Sequence, residues 1–359
     1  MIFSRFARKR FVKLLFIASL TGILALNAMA WMHARAMTHF VDAGDRTAKP
    51  ETLSFPQKVW TLLTGVNIPK PRNLSSPTDY GLRYETHLIR ELNNISLETW
   101  FVPNPEQRAL VIMFHGYAAC KSDLLFPAAQ FHSLGYEVLL VDFHGSGGSS
   151  GKDTGIGFSE SKDVSQCINY ARTQWPNRRI ILYGVSMGSA AILRAIAFEG
   201  VTPDAVIVES PFDRLISTAR NRFKLMGVPT FPAAELLVFW GGVQQGFDGF
   251  KHNPVEYARS VKCPVLMMHG ERDSRVTVEQ ARNVFDNLGG EKRFKLFDVG
   301  HEVIAVARPE EWRNQVTAFM VMIQFVSPRG KEPLIHTAFG TLISADQRNS
   351  GSSLPYQGR

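Results

Sequence analysis

Five short apolar runs recur through the middle of the chain: Ala109–His115, Tyr136–Phe143, Arg179–Val185, Ala205–Glu209 and Val265–His269. Each is nearly continuous in apolar residues, the pattern of a strand buried on both faces of a parallel sheet. Upstream, Leu82–Arg90 and Leu97–Val102 alternate instead and predict an antiparallel edge, and Phe294–Asp298 makes an eighth strand. Helix-like segments fall between or after them, at Asp123–Leu134, Ser159–Gln174, Met187–Phe198, Val278–Leu288 and Pro309–Phe325. Strands alternating with helices predict an α/β fold, a mostly parallel eight-stranded sheet with helices on both faces. The alternation breaks from Pro211 to Ser260, where Phe212, Phe223, Phe231, Phe239, Trp240 and Phe247 are interspersed with Gly241, Gly242 and Gly246.

The N-terminus has a different pattern. Arg5, Arg8, Lys9, Arg10 and Lys13 precede an uncharged apolar run from Leu14 to Met32. As a helix this run spans roughly 28 Å, close to the thickness of a bilayer core. The basic cluster predicts a cytoplasmic N-terminus, with everything after the run outside. Two readings stay open: an uncleaved anchor, or a signal peptide cut after Ala28-Met29-Ala30. Residues 1–36 are therefore read as a basic N-terminus plus signal anchor or signal peptide, and residues 37–78 as a proline-punctuated connecting region. Within the latter, Phe55 to Ile68 is apolar and aromatic, suited either to a membrane surface or to packing on the core. Residues 79–326 are read as one domain with an insertion at about 212–260, and 327–359 as a partly disordered tail.

Charge adds little. The net +8 of the 359 residues falls to +3 without the five basic residues of the leader, which argues against a nucleic-acid partner. Cys120, Cys167 and Cys263 fit no zinc spacing, and Gly145–Gly151 lacks the lysine of a phosphate loop. The chemistry is expected to need neither metal nor cofactor.

The candidate chemistry centres on Gly184-Val185-Ser186-Met187-Gly188, a serine at the apex of a strand–turn–helix with glycine two residues to either side. Such a turn strains the serine backbone and leaves no room for bulk beside it. A serine hydroxyl needs a base and a group that orients the base. In the chain order that accompanies this elbow, an acid and then a histidine follow the serine. Asp273 lies just past the strand ending at His269, and His301 just past the strand ending at Asp298. Glu271, Asp213 and Asp298 compete with Asp273 for the acid. The backbone N–H of Met187, at a helix start, is a candidate oxyanion donor. The second is the N–H of Tyr117, after the strand Ala109–Phe114, with its side chain free to line an acyl pocket.

With these residues the chain resembles the α/β-hydrolases, and among them the BEM46-like and serine-aminopeptidase-like (S33) hydrolases. The resemblance rests on His115-Gly116-Tyr117, Asp142 to Ser149, Gly184 to Gly188, Pro264 to Asp273 with Val276, and Gly300-His301, within about residues 80–326. One departure is His144, where relatives carry arginine; it is read as structural. The resemblance implies that residues 212–260 form a helical lid. It also implies a serine hydrolase acting through an acyl-enzyme on Ser186, with Asp273 and His301 completing the triad, Tyr117 and Met187 forming the oxyanion hole, and Gly184 and Gly188 shaping the elbow. The apolar lid points to a small-molecule or lipid-like ester, as for a carboxylesterase or lipase. An aminopeptidase-like peptidase is the alternative, followed by an acyltransferase or a non-catalytic binding module. The catalytic domain is expected outside the cytoplasm, membrane-anchored or exported after cleavage.

Overall fold

The computed structural model describes residues 2–90 and 96–326, and the chain divides into two compact units, residues 1–316 and 317–359. The expected disordered tail, 327–359, lies outside the described residues. In chain order, helix α1 (Ile2–Thr38) and helix α2 (Phe55–Thr64) precede strands β1 (Glu85–Arg90), β2 (Ser96–Val102) and β3 (Leu110–Phe114). Then come α3 (Leu125–Ser133), β4 (Glu137–Val141), α4 (Glu160–Gln174), β5 (Ile180–Val185), α5 (Met187–Phe198) and β6 (Ala205–Glu209). Helices α6 (Leu215–Met226), α7 (Ala233–Gln245) and α8 (Pro254–Tyr257) form the insertion. Strand β7 (Val265–Gly270), α9 (Val278–Asn287), β8 (Lys292–Phe297), α10 (Ile304–Ala307) and α11 (Pro309–Val326) complete the fold. The last turns of α11 are the described part of the second unit.

All eight expected strands are present, in the order β1-β2-β4-β3-β5-β6-β7-β8. Strand β2 runs antiparallel to both β1 and β4, and the remaining pairs are parallel. The apolar runs of the central strands are explained by burial on both faces: Ile112, Leu139, Leu182, Val206 and Met267 are solvent-inaccessible. Truncating one such leucine to alanine costs about 2–5 kcal/mol. The register aligns the carboxyl ends that matter, pairing Phe114 with Gly184, Val185 with Glu209, and Glu209 with Met268. The loops after β3, β5, β6 and β7 therefore open along one sheet edge, where ligands of open α/β sheets bind.

Helix α1 is long and apolar enough to cross a membrane from Arg8 to Thr38, and Phe11, Leu14, Phe16, Ile23 and Leu24 on it are exposed. Its C-terminal end is different. Ala30, Ala34 and Thr38 are buried, the Trp240 Nε1–H of α7 donates to Asn27 Oδ1 at 3.2 Å, and Gln244 Nε2 donates to Trp31 O at 3.0 Å. The membrane-type helix thus continues into the body of the protein and packs on the insertion. Residues 37–78 are likewise tied down. Phe40 and Ile68 are buried with Ala118, and Val41 bridges to Pro69. Helix α2 is stopped from fraying by Gln57 Oε1, which accepts the Ser54 N–H at 2.9 Å. Its Phe55, Trp60 and Leu63 are exposed.

Candidate active site

Ser186 sits between the end of β5 and the first turn of α5 with φ +52° and ψ −108°, a conformation L-residues rarely adopt. Its N–H donates to Glu209 O at 2.8 Å, and Ser189 Oγ donates to both Gly184 O at 2.7 Å and Glu209 O at 2.9 Å. These bonds offset the strain by holding the turn from below. The flanking glycines are required by space. A Cβ on Gly184 would lie 2.7 Å from Ile192 Cδ1, and one on Gly188 would run into the carbonyl of Phe114.

The loops after β7 and β8 bring two more expected residues to the serine. His301 Nε2 is 3.0 Å from Ser186 Oγ, and His301 Nδ1 is 2.7 Å from Asp273 Oδ2. Asp273 is buried, and its other oxygen accepts the N–H groups of Arg275 and Val276, each at 2.9 Å. Burial alone would raise its pKa. The His301 hydrogen bond and charge, with the Val276 N–H, hold it below the usual carboxylate value instead. The competing acids lie elsewhere: Glu271 is exposed, Asp298 pairs with Arg272 at 2.8 Å, and Asp213 Oδ1 accepts the Arg214 N–H at 2.6 Å. With a carboxylate on Nδ1, the Nε2 lone pair faces the serine hydroxyl. That arrangement can accept a proton from Ser186.

Met187 occupies the first position of α5, where backbone N–H groups lack intrahelical partners. The Tyr117 peptide is fixed indirectly. The Phe143 N–H donates to His115 Nε2 at 3.1 Å, so His115 carries its proton on Nδ1 and donates it to Gly116 O at 2.8 Å. Gly116 O and Tyr117 N–H belong to one planar trans peptide, so this buried, neutral histidine sets the direction of both. The Tyr117 side chain lines the cavity but is not free: its hydroxyl donates to Met37 O at the end of α1, at 2.6 Å. Burial pushes that phenol up to about 12.

Ser186, Met187, Tyr117 and His301 border one cavity of about 310 Å³. Its walls come from the insertion (Phe212, Leu237, Phe247) and from α1 (Ala34, Met37). His144 lies beside Asp163, to which both its backbone N–H and its ring nitrogen bond. Burial opposes its charge, but Asp163 at 2.7 Å, and then Glu160, raise its pKa to about 10. A pKa raised this far favours the imidazolium at neutral pH. The three cysteines are free thiols.

Glu209 was not anticipated. This solvent-inaccessible carboxylate ends β6 and accepts Tyr183 Oη–H and Trp312 Nε1–H, both at 2.7 Å, and Ile304 N–H at 3.0 Å. Its carbonyl holds Ser186 N, and its side chain holds the segment three residues after His301. An acid closing an otherwise apolar buried strand was the available signal.

Among known proteins, the family model described as serine aminopeptidase, S33, matches residues 105–232. Lysophosphatidylserine lipase ABHD12 of Mus musculus is 22% identical over 274 residues, 66% of this chain and 65% of its own. Protein bem46 of Schizosaccharomyces pombe is 24% identical over 226 residues, 62% of this chain and 71% of its own. The chain thus spans about two thirds of the length of these relatives. Among solved structures, the Pyrococcus furiosus esterase Pf2001 superposes with a TM-score of 0.62 at 25% identity, covering 71% of this chain and 97% of that one. The chain is an α/β-hydrolase, similar to the BEM46-like hydrolases. It is accordingly a serine hydrolase. The S33 match contains Ser186 and ends before Asp273 and His301, so the part these two play in the hydrolase rests on geometry.

Proposed function

We propose that this hydrolase cleaves lipid-like carboxylic esters at a membrane surface through a Ser186–His301–Asp273 triad. The observation that carries the reading is the pair of hydrogen bonds joining the three side chains beside the cavity, 3.0 and 2.7 Å long. His301 Nε2 takes the proton of Ser186 Oγ as the oxygen adds to the ester carbonyl. The N–H groups of Met187 and Tyr117 receive the oxyanion, and Asp273 stabilises the imidazolium. His301 then protonates the departing alcohol. Water, deprotonated by His301 in turn, releases the acid and restores Ser186.

An ester with an apolar acyl part is supported by the apolar walls of the cavity and by the lipase and esterase among the relatives. The S33 family description favours a peptidase as the second reading. Hydrolysis of p-nitrophenyl esters of increasing chain length, set against aminoacyl anilides, decides between them. Ester turnover that rises with chain length and disappears in Ser186→Ala is expected; faster anilide cleavage would establish the peptidase.

The membrane reading is supported by the surroundings of α1 where it meets the domain. His33 Nε2 contacts Leu62 O of α2 at 2.9 Å, and α7 packs along the same stretch. Exposed Trp60 and Leu63 of α2, with Phe239 and Val243 of α7, give this region an apolar surface suited to the interface of a bilayer. Cleavage after Ala30 would cut α1 inside its packed stretch and discard Asn27, so retention as an anchor fits better than removal. The basic residues before the span orient the domain outside the cytoplasm.

A further inference from the structure

Arg222 of α6 borders two cavities at once. One contains Ser186; the other, of about 380 Å³ and mainly apolar, reaches Leu26, Met29 and Ala30 of α1. Among the described residues its guanidinium has neither a hydrogen bond nor an ion pair. The nearby charges do not compensate it. Glu51 is engaged by Arg275 at 2.6 Å, while Arg275 and Arg46 both repel it. Arg46 donates to Ala118 O at 2.9 Å and also borders the Ser186 cavity. Burial foremost, then Arg275 and Arg46, pull the Arg222 pKa below the ordinary arginine value, although Tyr117 and Glu51 pull the other way.

Arg222 is part-buried where it borders the two cavities and has no protein partner there, and arginine presents its donors as a fork that fits phosphate or carboxylate. The charged groups that act on Arg222 are two arginines and one already paired carboxylate, an excess of positive charge around it, although Lys49, Asp123 and Glu302 also border the cavity. A neutral ester would leave that charge uncompensated. An anion would receive charge-assisted hydrogen bonds from Arg222.

We propose that Arg222, backed by Arg46 and Arg275, forms an anion-binding subsite, so that the substrate ester carries a phosphate or carboxylate group. The proposal rests on Ser186 being the nucleophile only in assigning the bound anion to a substrate. The test therefore reads binding. Full-length Ser186→Ala in detergent is titrated with lysophosphatidic acid, with a monoacylglycerol of the same chain, and with inorganic phosphate. The expected result is that the anionic lipid binds about 10- to 100-fold tighter than the neutral one, the scale of a hydrogen bond to a charged group. Arg222→Met abolishes that preference and Arg222→Lys retains part of it. Unliganded Arg222→Met melts no lower than its parent, because no protein partner is lost, whereas a structural ion pair would lower the melting temperature.

Equal affinity for the two lipids overturns the subsite without recourse to any Arg222 variant, and so does a preference that survives Arg222→Met. Inorganic phosphate binding alongside equal lipid affinities reassigns the site to free phosphate and also overturns it. Labelling of the wild type by a fluorophosphonate reports separately on Ser186. Absent labelling with the lipid preference intact removes the nucleophile reading and keeps the anion site.

Discussion

Asp273→Asn isolates the role of the acid because the geometry lets it spare the fold. The Arg275 and Val276 N–H groups both bond to Oδ1, which an asparagine oxygen replaces. The amide NH₂ then takes the place of Oδ2, 2.7 Å from His301 Nδ1. Facing a donor, Nδ1 must accept, so the ring proton moves to Nε2, 3.0 Å from Ser186 Oγ. A protonated Nε2 cannot take the serine proton, and the imidazolium also loses its carboxylate. The expected loss in kcat is about 10⁴-fold, or ~5.5 kcal/mol of transition-state stabilisation. KM should change little, since Asp273 lies buried behind the ring. The assay is steady-state hydrolysis of p-nitrophenyl butyrate, with circular dichroism and melting temperature as controls for folding. A folded Asp273→Asn that keeps more than a tenth of the wild-type kcat would refute the assignment. Asp273→Ala is expected to be less stable as well as inactive, because two buried N–H groups lose their acceptor at about 1–3 kcal/mol each.

Three further outcomes follow from the same geometry. Glu209→Gln turns an N–H toward one of the three donors that now meet a carboxylate; it should cost about 1–3 kcal/mol of stability in denaturant titrations and lower kcat about 10- to 100-fold, and an unaltered kcat would remove its positioning role. His144→Ala should destabilise by up to about 5 kcal/mol below pH 6.5, with the difference shrinking as pH rises toward about 10, because the folded pKa lies above the unfolded one; a difference that does not vary between pH 6 and pH 10 would contradict the imidazolium. The intact mass of membrane-extracted protein should retain residues 1–30, and a mature form beginning at Trp31 would show that the packed end of α1 does not protect it.

The sheet was legible because burial on both faces leaves a plain trace. Runs such as Leu110–Phe114 and Val138–Val141 admit no polar residue, and each expected strand has a counterpart. Boundaries were less legible at the sheet edges. The strand expected from Leu82 begins at Glu85, where the pairing with β2 begins. That Ser186, Asp273 and His301 come together was readable because each follows a strand end in a fixed chain order, which local sequence records. What local sequence does not record is contact across the chain. Nothing near Trp240 indicates that it meets Asn27, and nothing near Tyr117 indicates that its hydroxyl is tied to Met37. Arg222 reads as one of several cations on a lid helix, and only the fold reveals that it has no partner among the described residues. Helix α2 had a local signal, Ser54 with Gln57 three residues on, inside a segment whose apolar content suits either a membrane surface or packing on the core.

In the proposed reaction Ser186 is a nucleophile activated by His301. The most direct test is mass spectrometry of the protein treated with a fluorophosphonate, comparing wild type, Ser186→Ala and His301→Ala. One adduct is expected, on the peptide containing Ser186, absent from Ser186→Ala and slowed by about 10³-fold or more in His301→Ala. A folded wild type that takes no label, or an adduct that persists in Ser186→Ala, would contradict the proposed reaction.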